Sequence, residues 1–546
     1  MSIPIPLAVR VATASQDLHL TRWLRDLQFR EVATGGFASA TFSIGRPLGV
    51  MPQELEYFAD VYIYDHTGAT VWQGRLEDLG IENGDQGQVW RISALGPSTH
   101  ASDRNVPLIY VDTSWDKWIK ARSASGEQQN TQVSTGDDPG GSGDAALVLS
   151  FPTGMTVPTN GACTAYYLCL DASGQNMAVF DYSWDAGLTS ADWKIRGFSS
   201  GTNVVRTQSA STGGGGTSTA LVGTGAFDFG DHRPIVQFRW EGAASGTGTS
   251  DIVWASIMNI CVRATTYTKA GSEESSGYSS ADKTILASTI VADLLGRLLD
   301  QYDGASAEIE TTTYDITQLA YYDGVTPREV LDDLMEFEPG FRWGAYESTG
   351  SGYRFEWKAW PSAVRYEAPV HDGFDSPASA TDVWNAVRVY YEDSLGQTVS
   401  VRSTSTVAAL DDANLTRETK FDLVGAGSNA NATQAGEQFL AEHERPAASG
   451  TLRISRPVID LIDGRWVQPW QIRAGELIRV RDVQPRVDAL TATGRDGISV
   501  FKIASREYST ADATATLELD EYTLSTARAL ATTKKQAKRG KLGRRR

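Results

Sequence analysis

The chain has 546 residues, of which 41% are hydrophobic and 21% charged, with 52 Gly, 15 Trp and 20 Tyr; this excludes a disordered or collagen-like protein and predicts about three or four domains rather than one. Lys+Arg total 49 against 67 Asp+Glu, a net charge of −18, yet Lys534, Lys535, Lys538, Arg539, Lys541, Arg544, Arg545 and Arg546 place eight positives in the last thirteen residues and leave −26 on the remainder. A body of that charge repels nucleic acid and excludes sequence-specific duplex binding by its globular part.

No stretch approaches the ~18 apolar residues of a membrane helix. Met1-Ser2-Ile3-Pro4-Ile5-Pro6 lacks the basic region and apolar core of a secretory signal, so the expectation is synthesis and retention in the cytosol. The three cysteines, Cys163, Cys169 and Cys261, have no CxxC spacing, and two residues six apart on a strand cannot bridge, so they read as buried small hydrophobes.

In chain order, residues 1 to about 115 read as β. Asp60 to Tyr64, a turn at Asp65 to Gly68 and Ala69 to Asp78 form a hairpin, and Gln88 to Ala94 adds a strand after Asn83-Gly84; short antiparallel strands joined by tight turns predict a small β-barrel. Residues 116–283 differ in composition. Residues 121–280 hold 23 of the glycines, including Gly213 to Gly216, between strand-like runs at Ala145–Phe151, Ala162–Leu170, Ile235–Trp240 and Ile252–Val262. That pattern predicts a jelly-roll-like β-sandwich inserted into a host fold.

Residues 284–372 read as a small α+β domain. Ile285, Ile290, Leu294, Leu298 and Leu299 recur at helical spacing, with a start at Ser280 and a stop at Asp303-Gly304. Thr326-Pro327-Arg328-Glu329 sets Thr as the cap and Pro as the first residue of a second helix, followed by strands at Phe341–Tyr346 and Tyr353–Trp360. Residues 373–525 return to β, with a hairpin at Trp384–Arg402, one helix at Thr433–His443, and strands at Thr451–Ile454, Leu477–Val483, Ser499–Ser505 and Ala513–Leu519. Residues 526–546 form the basic C-terminal tail.

Catalytic patterns are weak. Gly197-Phe198-Ser199-Ser200-Gly201 matches a nucleophile elbow, but the strand-like Thr202-Asn203-Val204-Val205 follows where a helix is needed. Gly425-Ala426-Gly427-Ser428-Asn429-Ala430 imitates a dinucleotide fingerprint without the alternation of strands and helices that supplies a parallel sheet. The six His form no HExxH, and His443, between Glu442 and Glu444, reads as part of a solvated helix face. The pairs Asp137-Asp138, Asp332-Asp333 and Asp411-Asp412 are adjacent, so their spacing sets no two carboxylates across a cleft. The reading is a non-enzyme with no catalytic, cofactor or metal residues. Tyr182, Trp184, Trp193, Trp240 and Trp254 are candidate stacking platforms for a carbohydrate, against the plainer alternative of core packing.

The order of segments resembles the tail hub, or minor tail, proteins of long-tailed bacteriophages, related in fold to baseplate hubs. Val61 to Gly68 with Val71-Trp72-Gln73-Gly74-Arg75 is similar to the family's first-barrel hairpin, and Thr326 to Leu334 with Phe341-Arg342-Trp343 to its small helical domain. Asn385 to Tyr391 with Gly396, Ala435 to Glu442, Gly475 to Val480, Phe501-Lys502-Ile503 and Leu517-Glu518-Leu519 are similar to its second barrel. The resemblance covers about 1–115 and 284–525 and leaves 116–283 outside.

It implies a mainly β fold with two small hub β-barrels, and a homotrimer at the distal end of a tail tube, surrounding the channel through which DNA leaves. The implied partners are the distal tail protein, the tape measure protein, and tail tip or fibre proteins, in a virion component made in the host cytoplasm. It carries no catalytic residues. The alternatives are a carbohydrate-binding host-adsorption protein and a cell-wall-degrading tail hydrolase.

Overall fold

The computed structural model describes residues 7–45, 55–84, 87–111, 285–316, 319–338 and 340–369, and 373–521 apart from short gaps and 482–499, together with the strands between 118 and 264. The fold is mainly β with few helices. Eighteen strands form one continuous sheet. From its outer end, Asp17–His19 pairs with Ala8–Ala12, which pairs with Asp60–Tyr64, and the ladder continues through Thr70–Gly84, Gly87–Leu95 and Gly35–Ile44 to Leu24–Val32. The sequence explains the local choice: Ala8–Ala12 and Asp60–Tyr64 alternate buried Val9, Val11, Val61 and Ile63 with half-buried residues, the period of a strand with one face in a core.

The turn between Asp60–Tyr64 and Thr70–Gly84 falls where the sequence puts it. Asp65 Oδ1 accepts from the Thr67 and Ala69 amides at 2.8 and 3.0 Å, and Gly68 adopts φ +85, the left-handed backbone that a glycine takes without strain. The next turn differs from expectation. Asn83 and Gly84 are still in the ladder, opposite Gln88 and Gly87, so the strand outruns its turn-forming residues.

The second half of the sheet contains the closing strands. Val500–Ser509 pairs with Thr514–Glu521 on one side, and Thr514–Glu521 with Gly450–Ile454. On its other side Val500–Ser509 changes partner along its length. Its first residues pair with Leu477–Arg481, and residues 505–509 pair with Leu24–Val32. This seam strand joins the two strand sets, whose buried residues form one hydrophobic cluster from Leu7 to Leu519.

The α+β unit holds helices α1 (Ala287–Arg297) and α2 (Pro327–Phe337) and the hairpin Phe341–Ser348/Tyr353–Ala359. Helix α2 begins with the expected Thr326 cap and carries a full capping box with Glu329. Helix α1 starts later than the periodicity suggests, because Ile285 and Leu286 pair with Ile316 and Asp315 as a two-residue strand before the helix begins. Ile285 is therefore buried from a strand, and Ser280 lies outside the described residues. The strand Val106–Val111 pairs with Leu319–Val325, and its Leu108 and Tyr110 pack in the same cluster as the two helices.

Between these paired strands, the inserted region forms two five-stranded antiparallel sheets. The runs read as strands are Ala145–Pro152, Thr164–Leu168, Ile235–Ala244 and Ile252–Ala264. A separate three-stranded sheet, Thr398–Thr404/Ala386–Glu392/Glu418–Leu423, packs Val387, Val389 and Phe421 against α3 (Asn429–His443). Helix α3 starts four residues before Thr433, whose hydroxyl donates to the Asn429 carbonyl at 2.8 Å, the i to i−4 bond of a threonine inside a helix rather than at its cap.

Candidate functional site

Among the described residues, a cluster of buried charges lies at the seam. In the Leu24–Val32 strand Leu27, Phe29 and Glu31 share one face, and all three are buried. Arg506 stands directly opposite Glu31 in the ladder. Its Nη2 donates to Glu31 Oε2 at 2.6 Å with both side chains fully buried, its Nη1 donates to the Trp470 carbonyl at 3.1 Å, and its guanidinium lies 4.8 Å from the Phe29 ring centre. Burial lowers the Arg506 pKa, and Glu31 opposes that shift.

Arg473 connects this pair to the α+β unit. It lies 3.7 Å from Glu31 Oε1 and 3.5 Å from Glu347 Oε2, with its guanidinium 5.2 and 4.9 Å from the ring centres of Phe37 and Tyr346. Burial alone would lower Arg473, yet Glu31 and Glu347 raise it above the ordinary arginine value. Tyr346 is pushed up to about 12 by burial and accepts from Arg342 at 3.3 Å; Arg354 joins Glu347 and Glu356.

Contacts around this centre bind the three regions further. Gln73 accepts from the Ser348 amide at 2.8 Å, Tyr353 donates to Asp60 at 3.1 Å, and Gln471 donates to Asp65 at 3.0 Å. Gly35 and Gly36 run parallel to Gly344 and Ala345, and Gly36 has φ +76 with no room for a Cβ beside the Ala345 carbonyl. The charges here neutralise one another inside the protein, and their geometry is that of a joint between modules.

The sequence signal for this joint is a charge on the apolar face of a strand, Leu27-x-Phe29-x-Glu31 and Arg506-x-Tyr508. Neither Glu31 nor Arg506 belongs to a local motif that marks it in the sequence.

The five aromatic candidates are divided between the two inserted sheets. Trp193 and Trp240 are directly opposed on neighbouring strands. Tyr182 and Trp184 lie two apart on one strand of the other sheet, with Trp184 opposite Ala255 and Trp254 opposite Ser150. The register thus brings Trp193 to Trp240 and keeps the other three in the second sheet.

The serine in the elbow-like string ends a strand, Leu188–Ser199, that pairs antiparallel with Thr202–Ala210, so no helix follows it. Gly425 and Gly427 lie outside the described residues. The strand before them is parallel to Ala386–Glu392, a parallel pair the sequence reading did not foresee, within a sheet of three strands. His443 is half-buried, stacked on Phe439 at 4.0 Å with Nδ1 2.8 Å from the Phe439 carbonyl, and not on a solvated face.

Asp332 accepts from Trp343 Nε1 at 3.0 Å and Asp333 from the Tyr321 hydroxyl at 2.7 Å, so these adjacent carboxylates serve different partners. Asp411 and Asp412 lie outside the described residues. Among the described residues no three His, Cys, Asp or Glu are grouped to hold a metal ion, and no helix is long and apolar enough to cross a membrane.

No protein-family model and no curated protein matches the sequence. Among solved structures, the chain is similar over 96% of its length to 99% of a tail protein from Neisseria meningitidis, at 10% identity and a TM-score of 0.45. It is similar over 97% of its length to 99% of a prophage tail protein from Listeria monocytogenes, at 8% identity and a TM-score of 0.42. A shorter likeness relates 29% of the chain to 96% of a family 11 carbohydrate-binding module from Clostridium thermocellum, at 16% identity and a TM-score of 0.20. Likenesses at these scores assign the chain to no family.

Proposed function

We propose that the chain is a structural protein of a bacteriophage tail, a hub at the distal end of the tail tube that forms a homotrimeric ring around the DNA exit channel. In this role it connects the distal tail protein, with the tape measure protein inside the tube, to tip or fibre proteins. The observation that carries the reading is the seam strand. It holds the first and last parts of the chain as one sheet over one hydrophobic cluster, which supports two adjoining strand sets in the segments that resemble the family's two barrels. A buried joint of arginines and carboxylates between modules suits a protein whose work is to stay assembled, and none of its groups is arranged to attack a substrate.

Negative-stain imaging of the purified protein tests this. A ring with three-fold symmetry is the expected result, with interfaces above ~2,000 Å² as in obligate assemblies; a monomer at high concentration overturns it. A second reading, carbohydrate binding during host adsorption, is favoured by the register that sets Trp193 opposite Trp240, because paired aromatics offer a stacking surface. Binding on a glycan array, lost in Trp193→Ala, supports it, and an empty array removes it. A cell-wall hydrolysis assay, expected to be negative, tests the hydrolase alternative.

A further inference from the structure

The three-stranded sheet carries an unusual row on the face away from α3. Arg388 lies opposite Arg402 on one side and opposite Lys420 on the other, so three cations occupy one cross-strand row. The face is open: the side chains of Arg388 and Arg402 are 41% and 43% exposed. Like charges placed directly opposite destabilise a sheet. Glu418 on this row's flank offsets them in part, lying 3.3 Å from Arg388 Nε and 3.0 Å from Arg402 Nε, while the Lys420 ammonium rests 6.0 Å from the Tyr390 ring centre. Asp422 stands one step further along, opposite Tyr390. The row therefore keeps a positive excess on a chain that, without its terminal tail, carries −26 overall.

We propose that this face docks on an acidic surface of a second copy of the same chain. The inference rests on the homotrimer proposed above and adds the surface through which copies recognise one another. Copies of a strongly acidic body repel, so cationic ground at the contact favours their association. Each copy presents both halves of a head-to-tail contact, the kind that closes into a ring: the cationic row, and the acidic surface of a chain that holds 67 Asp and Glu against 49 Lys and Arg. Glu418 between the two guanidiniums is itself an example of the carboxylate geometry that the row accepts. A phosphate backbone is the poorer occupant, because Glu418 and Asp422 share the face.

The test is the mass of the full chain by light scattering across protein concentration, for wild type and two variants. Arg388→Glu/Arg402→Glu/Lys420→Glu reverses the row. Arg402→Gln/Lys420→Gln neutralises most of it and, by removing like-charge repulsion, does not endanger the sheet; circular dichroism checks that both are folded. The expected result is a wild-type trimer weakened by added salt, a midpoint of association raised at least tenfold in the neutral variant, and a monomer in the reversed one. Folded variants that assemble like wild type overturn this proposal and leave the trimer standing. A wild-type monomer overturns the trimer and this surface together. Unchanged mass with loss of binding to a 30-base-pair duplex assigns the row to nucleic acid and also overturns it.

Discussion

Arg506 donates to Glu31 across the ladder between the seam strand and Leu24–Val32, at 2.6 Å and with neither side chain reaching solvent. Removing one member of such a pair leaves a charge buried without its partner, which costs about 3–5 kcal/mol. Arg506→Met or Glu31→Leu alone is expected to destabilise in urea unfolding by up to that amount, less for Arg506→Met because Arg473 stays 3.7 Å from Glu31, and the double variant to recover most of it because Arg473 keeps Glu347. A double variant as unstable as the sum of the singles would show that the pair is not the source of the cost.

Thr326 closes α2 with a reciprocal capping box. Thr326→Ala removes the acceptor for the Glu329 amide, with an expected loss of about 1 kcal/mol. Faster hydrogen exchange at the amides of the first turn, with the distant sheet unchanged, is the readout.

Gly36 combines φ +76 with a backbone neighbour, the Ala345 carbonyl, that a Cβ would overlap. Gly36→Ala is expected to destabilise by at least about 2 kcal/mol, since left-handed strain and the clash act together. Gly68, also left-handed but with open space around it, is the control, and Gly68→Ala is expected to cost less.

His100 is expected to make the protein less stable in acid. Its Nδ1 lies 3.1 Å from Asp103 Oδ2 and 3.3 Å from Arg75 Nη1; burial and then Arg75 hold its pKa below the ordinary 6.5. The unfolded chain therefore takes up the proton first, and stability falls as pH drops below 6.5. Asp103 is lowered, chiefly by its bond from Arg75, so its stabilisation lasts until pH falls below the ordinary 3.8. The melting temperature of wild type is expected to decline between pH 7 and 5, and that of His100→Gln to stay flatter over the same window.

Replacing 116–283 by a short linker is expected to leave the α+β core folded. The strands Val106–Val111 and Leu319–Val325 pair on either side of the insertion, and Leu108 and Tyr110 already pack with α1 and α2. An insoluble product would show that the inserted sheets are part of the host core.

Local chemistry was legible where the residues that define a feature are adjacent in sequence. Asp65 to Gly68 and Thr326 to Glu329 are of this kind, because a side-chain cap or an Asx turn needs only three or four residues. Ile285 carries the apolar spacing of α1 yet lies in a two-residue strand whose partner is about thirty residues away, a contact that local spacing does not reveal. The Glu31–Arg506 pair and the Arg402–Arg388–Lys420 row depend on register between strands, which period-2 alternation does not fix. Their only sequence trace is a charge where an apolar face, or an opposite charge, would be cheaper.

The seam has a consequence for synthesis. Glu31 and Arg506 are 475 residues apart, so at ~5–20 residues per second the ribosome needs roughly 25–95 s to supply the strand that covers Leu24–Val32. Through that interval the nascent chain carries an open strand edge with a carboxylate on its apolar side, and the unpaired Glu31 discourages the edge from joining a strand of another chain. The carboxylate that Arg506 holds in the finished protein thus acts as a gatekeeper during its birth.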